Sequence, residues 1–171
     1  MRVAEGQWER LQFLARVTHK ECLYLQETDS RLFADPMTLE SLQKMEVDPV
    51  LAERLDAFVG RFGRLQDNLG DKLLPQLLDA MAEKTGAVIE NLDRAEKLGW
   101  IESADVWLEM RKLRNQMVHE YIEDMNILIS ALKAGHAFVP VLIATAQRFA
   151  AQIEKLTPLT YKTMDTRSSR A

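Results

Sequence analysis

PVLAERLDAFVGRFGRLQDNLG, residues 49 to 70, decides the fold class. Leu51, Leu55, Phe58, Phe62, Leu65 and Leu69 recur at alternating steps of four and three. That spacing lays all six on one narrow stripe of an α-helix and never matches the alternation of a strand. The stretch opens on Asp48-Pro49, an acceptor side chain followed by a residue that suits the first helical turn. Gly60, Gly63 and Gly70 interrupt the pattern, each at a cost of about 1 kcal/mol relative to alanine. Gly63 and Gly70 are seven residues apart and share a face, which suggests another helix approaching closely there. Pro75 lacks the N–H for a bond to residue 71 and is expected to kink or break the helix.

The same period extends in both directions. Trp8, Leu11, Ala15, Thr18, Cys22 and Leu25 predict a first helix over about residues 4–30. Leu39, Leu42 and Met45 fit a short helix before Asp48. Val88, Leu92, Ala95 and Leu98 fit another that ends near Gly99. Ser103 in ESAD reads as the cap of a long helix over about 104–133, stopping at Gly135. Phe138, Leu142, Phe149, Ile153 and Leu156 predict a final helix over 137–156, and YKTMDTRSSRA reads as a polar, frayed tail. No stretch alternates long enough to suggest strands. The expected architecture is all-α: an antiparallel four-helix bundle with one or two short extra helices, a single domain over 1–158 and a tail over 159–171.

Bulk properties narrow the class of protein. With 171 residues, 47% hydrophobic and 28% charged, the chain suits one globular domain. No apolar run is expected to reach the roughly 18 residues that cross a bilayer, and the charged N-terminus is unlike a signal peptide. One cysteine, Cys22, excludes an internal disulfide and fits a reducing cytoplasm. A net charge of -4 gives no global attraction to nucleic acid, so any such binding needs a local basic patch.

RNQMVHEY, residues 114 to 121, concentrates polar groups on a helix that otherwise reads as core. With about 100° per residue, Met110, Met117, Tyr121 and Leu128 fall within about 80° of Leu113. Arg114 lies at the inner side of that arc, where a permanent charge needs a partner. Asn115 and His119 stack one turn apart on the opposite side. Val118, Ile122 and Ile129 widen the apolar arc beyond what one neighbour covers, which points to a second chain and a homodimer. A twofold axis can bring Arg114 and His119 of paired helices around one groove.

These residues resemble the Arg-polar-x-x-x-His motif of HEPN domains, in the Arg-x4-His-x-Tyr form of HepT-like proteins. The resemblance implies an all-helical, often dimeric ribonuclease toxin paired with a nucleotidyltransferase antitoxin in the cytoplasm. On it, Arg114 and His119 match the catalytic residues and Asn115 the polar position after the arginine. Tyr121 matches the tyrosine that the antitoxin modifies with AMP. The eight-residue motif carries the match, while the helical order extends it over roughly 5–156.

The implied reaction is metal-independent cleavage of RNA by its own 2′-hydroxyl. Histidine titrates near neutral pH and suits the proton transfer, arginine matches phosphate oxygens, and Arg111 and Lys112 add phosphate contacts. Each residue also has a plainer reading. Arg114 can pair structurally with Asp67 or Asp71, His119 and Asn115 can be surface groups, and Tyr121 can be core. Arg61, Arg64 and Lys72 can add phosphate contacts or be solvated. His19 with Cys22, and His119 with Glu123, lack the further ligands a metal needs, and no nucleotide-cofactor loop is present. The alternative function is a noncatalytic subunit that presents substrate or nucleotide to a nucleotidyltransferase. A plain helical adaptor, with the Arg–His pair structural, is the third.

Overall fold

In a computed structural model, which describes residues 1–119 and 123–160, the chain is all-α apart from one two-residue strand pair. Strand β1 is Arg2–Val3, followed by helices α1 (Glu5–Leu32), α2 (Leu39–Gln43, extended by a 3₁₀ turn over Lys44–Glu46) and α3 (Pro49–Asp67). A π turn over Asn68–Leu73 leads into α4 (Leu74–Ala80). Then come α5 (Val88–Lys97), α6 (Ala104–His119), α7 (Met125–Glu154) and strand β2 (Thr157–Pro158). The strands pair in parallel, Arg2 with Thr157 and Val3 with Pro158. They tie the start of the chain to the segment after α7, a contact too short to leave an alternation in the sequence.

Local chemistry sets most of the boundaries. The Asp48 carboxylate accepts from the backbone N–H of Val50 and of Leu51 at 3.0 and 3.3 Å, with Pro49 as the first helical residue. Thr38 and Ser41 cap α2 reciprocally. Ser103 accepts from the Val106 N–H at 3.2 Å, the cap its position in ESAD predicts. Gly99 adopts φ +74°, the left-handed conformation that ends α5.

One expectation is met in part and two are corrected. Pro75 interrupts the α-helix without ending it: the preceding turn widens into a π turn, the Leu74 N–H reaches back to the Leu69 carbonyl, and helix resumes through Pro75. The long helix over 104–133 is two elements. α6 ends at His119 and α7 starts at Met125, because the Asp124 carboxylate caps the N–H groups of Asn126 and Ile127. α7 therefore runs through Gly135, which is buried where an added Cβ would meet Phe58 at 3.3 Å and the Met117 sulfur at 3.4 Å. The expected start of the final helix at 137 is twelve residues late by the same count. Finally, by length and composition α7 is apolar enough to cross a membrane. Its inward side, from Leu128 to Ile153, belongs to the core.

The core forms where α1 contacts α3 and α7, and α6 contacts the same two helices. Leu55, Phe58, Phe62, Leu65 and Leu69 of the stripe are fully buried, beside Leu11 and Leu25 of α1 and Leu132 and Leu142 of α7. Gly63 and Gly70 are where α6 comes close. A Cβ at Gly63 would lie 3.0 Å from Arg114 Nε, and one at Gly70 would lie 2.9 Å from Trp107 Nε1. The order 63 to 114 and 70 to 107 makes α6 antiparallel to α3.

Candidate functional site

The approach at Gly63 seats Arg114. Its guanidinium crosses to α3, where Nη2 donates to Asp67 Oδ2 at 3.0 Å. One turn earlier on α6, Arg111 Nη2 lies 3.7 Å from Asp71 Oδ2. Two arginines of α6 thus face Asp67 at the end of α3 and Asp71 in the π turn that follows it. All four side chains keep about a third of their surface in water, so each pair adds at most about 1 kcal/mol. Of the plainer readings, the structure bears out an ion pair of Arg114 with Asp67, not Asp71.

Toward its end α6 turns polar. Lys112, Asn115 and His119 are exposed, while Leu113 and Met117 are buried. His119 is the last residue of the helix. Neither Asn115 nor His119 hydrogen-bonds another described side chain. Tyr121 lies outside the described residues, as does Ile122. Among the described residues of one chain, then, Arg114 is held against α3 by its ion pair with Asp67, while the His119 imidazole at the helix end has no side-chain partner.

The wide apolar arc assigned to a single helix is divided. Val118 is 51% exposed on α6, whereas Ile129 and Leu128 belong to α7. The arc's width came from joining two helices, so it no longer argues for a second chain.

A cluster that sequence reading missed joins α1 to α7. His136 Nδ1 lies 2.7 Å from Asp29 Oδ1, and the ring stacks on Phe33 at 4.2 Å between centroids. Phe33 in turn meets Phe58 edge-on. The partners are 107 residues apart, and no local spacing signals them. Among the described residues no three His, Cys, Asp or Glu side chains gather as a metal site would require.

No known protein family, curated protein or solved structure matches the chain.

Proposed function

We propose that the chain is a HepT-like HEPN ribonuclease toxin, with the antiparallel four-helix arrangement of that class and its site at a homodimer groove. The observation that carries this reading is the end of α6, where Asn115 beside Arg114 and His119 just over one turn beyond it are exposed, and Arg114 itself keeps about a third of its surface in water. In the proposed reaction the RNA 2′-oxygen attacks the adjacent phosphorus and the bond to the 5′-oxygen breaks. A 2′,3′-cyclic phosphate and a 5′-hydroxyl result. His119 transfers a proton, either from the attacking hydroxyl or to the leaving oxygen, with the second proton exchanged through solvent or the twin imidazole. Arg114 exchanges its Asp67 partner for a phosphate oxygen, a bidentate contact that strengthens as charge develops. Arg111 and Lys112 lie on the approach. A cytoplasmic nucleotidyltransferase antitoxin silences the site by transferring AMP from ATP to the Tyr121 hydroxyl, with pyrophosphate leaving and the phenol proton lost to solvent, which adds bulk and negative charge.

A second reading has its own support. The Arg114–Asp67 pair already gives the guanidinium an intramolecular partner, as a noncatalytic binding subunit of a two-component nucleotidyltransferase would need. Expression of the chain alone separates the two. Growth arrest relieved by His119→Ala, with cleaved RNA ending in cyclic phosphate, supports the nuclease. No arrest, together with stable complex formation with a nucleotidyltransferase, supports the binding subunit.

A further inference from the structure

On the far side of α3 from Arg114, a second cationic surface forms where α3 meets α1. Arg61 donates to the Tyr24 carbonyl at 3.0 Å and to the Thr28 hydroxyl. Its guanidinium carbon sits 5.4 Å from the centre of the Tyr24 ring. Held this way, Arg61 is one wall of a cavity of about 230 Å³ whose other sides are Glu21, Tyr24 and Arg64. Glu21 is turned to Asn68, which donates to its Oε1 at 2.7 Å, and it forms no ion pair with either arginine. Arg64 is exposed and has no carboxylate partner among the described residues.

The surface continues along α1. Phe13 and Tyr24 are eleven residues apart, which returns to nearly the same side of a helix about 16 Å further on. Both rings are about half exposed, 46% and 51%, and each has an arginine against it: Arg10 lies 5.4 Å from the Phe13 ring centre. Lys20 falls between them on the same side and is exposed. Exposed aromatic faces alternating with cations that form no ion pair among the described residues, with Glu21 alone as a neighbouring carboxylate in the cavity, are a poor solution for a merely solvated helix. An arginine beside a ring stiffens it and leaves a face for stacking, and the free cations suit a phosphate chain.

We propose that the α1–α3 edge built from Phe13, Lys20, Tyr24, Arg61 and Arg64 binds single-stranded nucleic acid. Bases stack on the two rings, and Arg64 and Lys20 contact phosphates. The contacts need no 2′-hydroxyl, so single-stranded DNA binds as well. The surface lies across α3 from Arg114 and His119, and it serves the proposed nuclease by holding the strand outside the cleavage groove.

The test uses the full-length protein and a fluorescein-labelled oligodeoxythymidine of about twelve nucleotides, followed by anisotropy over a range of salt. Because DNA lacks the attacking hydroxyl, binding is read without cleavage. Tyr24→Ala is expected to weaken binding about tenfold. Arg64→Ala should reduce the slope of log affinity against log salt by about one. Both sites are solvent-exposed, and circular dichroism verifies that the variants fold. No saturable binding by the wild type overturns the proposal. So does binding that neither variant changes, or equally tight binding of polyglutamate that is indifferent to Tyr24→Ala. None of these outcomes bears on the nuclease reading, which stands or falls on His119→Ala in the growth and cleavage assays.

Discussion

Arg114 of α6 and Asp67 of α3 are joined at 3.0 Å across a helix contact that a glycine, Gly63, makes possible. The guanidinium proposed to meet phosphate is therefore held against a carboxylate within its own chain. With both side chains about a third exposed, the pair is weak enough to exchange. Asp67→Asn is expected to lower stability by no more than about 1 kcal/mol in urea unfolding while increasing RNA cleavage or anion affinity. A loss of several kcal/mol, or a collapse of activity, would show instead that Asp67 holds Arg114 in its working position.

The two glycines facing α6 should respond differently to alanine. At Gly70 the new methyl would meet the rigid, buried Trp107 indole at 2.9 Å, an overpacking of about 1–3 kcal/mol. At Gly63 the obstacle is the flexible Arg114 side chain at 3.0 Å. Displacing it costs little and is offset by a gain in helix propensity of up to about 1 kcal/mol. Thermal melts should place Gly70→Ala below the wild type and Gly63→Ala near it, with Arg114 released from Asp67. Equal losses would contradict the contact geometry.

Gln66 is 1% exposed in α3, and neither its amide nitrogen nor its oxygen has a hydrogen-bond partner among the described residues. A buried amide left unpaired costs roughly 1–3 kcal/mol. Gln66→Met keeps the length and removes the polar atoms, so Tm should rise, by about 2–4 °C for each kcal/mol recovered in a chain of this size. A lower Tm would mean that the amide is satisfied in solution, for example by an ordered water.

Burial, with a smaller contribution from the charge of Glu21, pushes the Cys22 thiol up to about 11 from 9.0. The folded protein should react with a disulfide reagent at pH 8 at least about a hundredfold more slowly than the chain unfolded in urea. Stability follows the same linkage. Between pH 9 and about 11 the unfolded chain releases this proton while the folded one retains it, so unfolding becomes easier as pH rises through that window. Below pH 9 this group adds no slope. Cys22→Ser should remove this part of the alkaline decline, which comparison of urea midpoints at pH 8 and pH 10.5 would measure.

How far these features could be read from sequence depended on range. The stripe from Leu51 to Leu69, the caps at Asp48 and Ser103 and the stop at Gly99 are encoded within a few residues, and all were legible. Gly63 and Gly70 were legible as a close approach because two costly residues on one face need a reason. The break between α6 and α7 was hidden, since the helical period carries on across residues 120–124 and Asp124 resembles any surface acid until its cap is seen. The Asp67 partner of Arg114 could be narrowed to two candidates, whereas the Asp29–His136–Phe33 cluster could not be found at all. Its members meet only through the packing of α1 on α7.

The π turn at Asn68–Leu73 holds one residue more than the α-helical turn it replaces, and its wider winding absorbs that residue, so Leu74, Leu77 and Leu78 of α4 still face the interior. The extra residue therefore works as slack in the winding: a chain lacking one residue here could close the turn into ordinary α-helix with α4 facing the same way, and Pro75 would then confront the carbonyl of an α-helical turn.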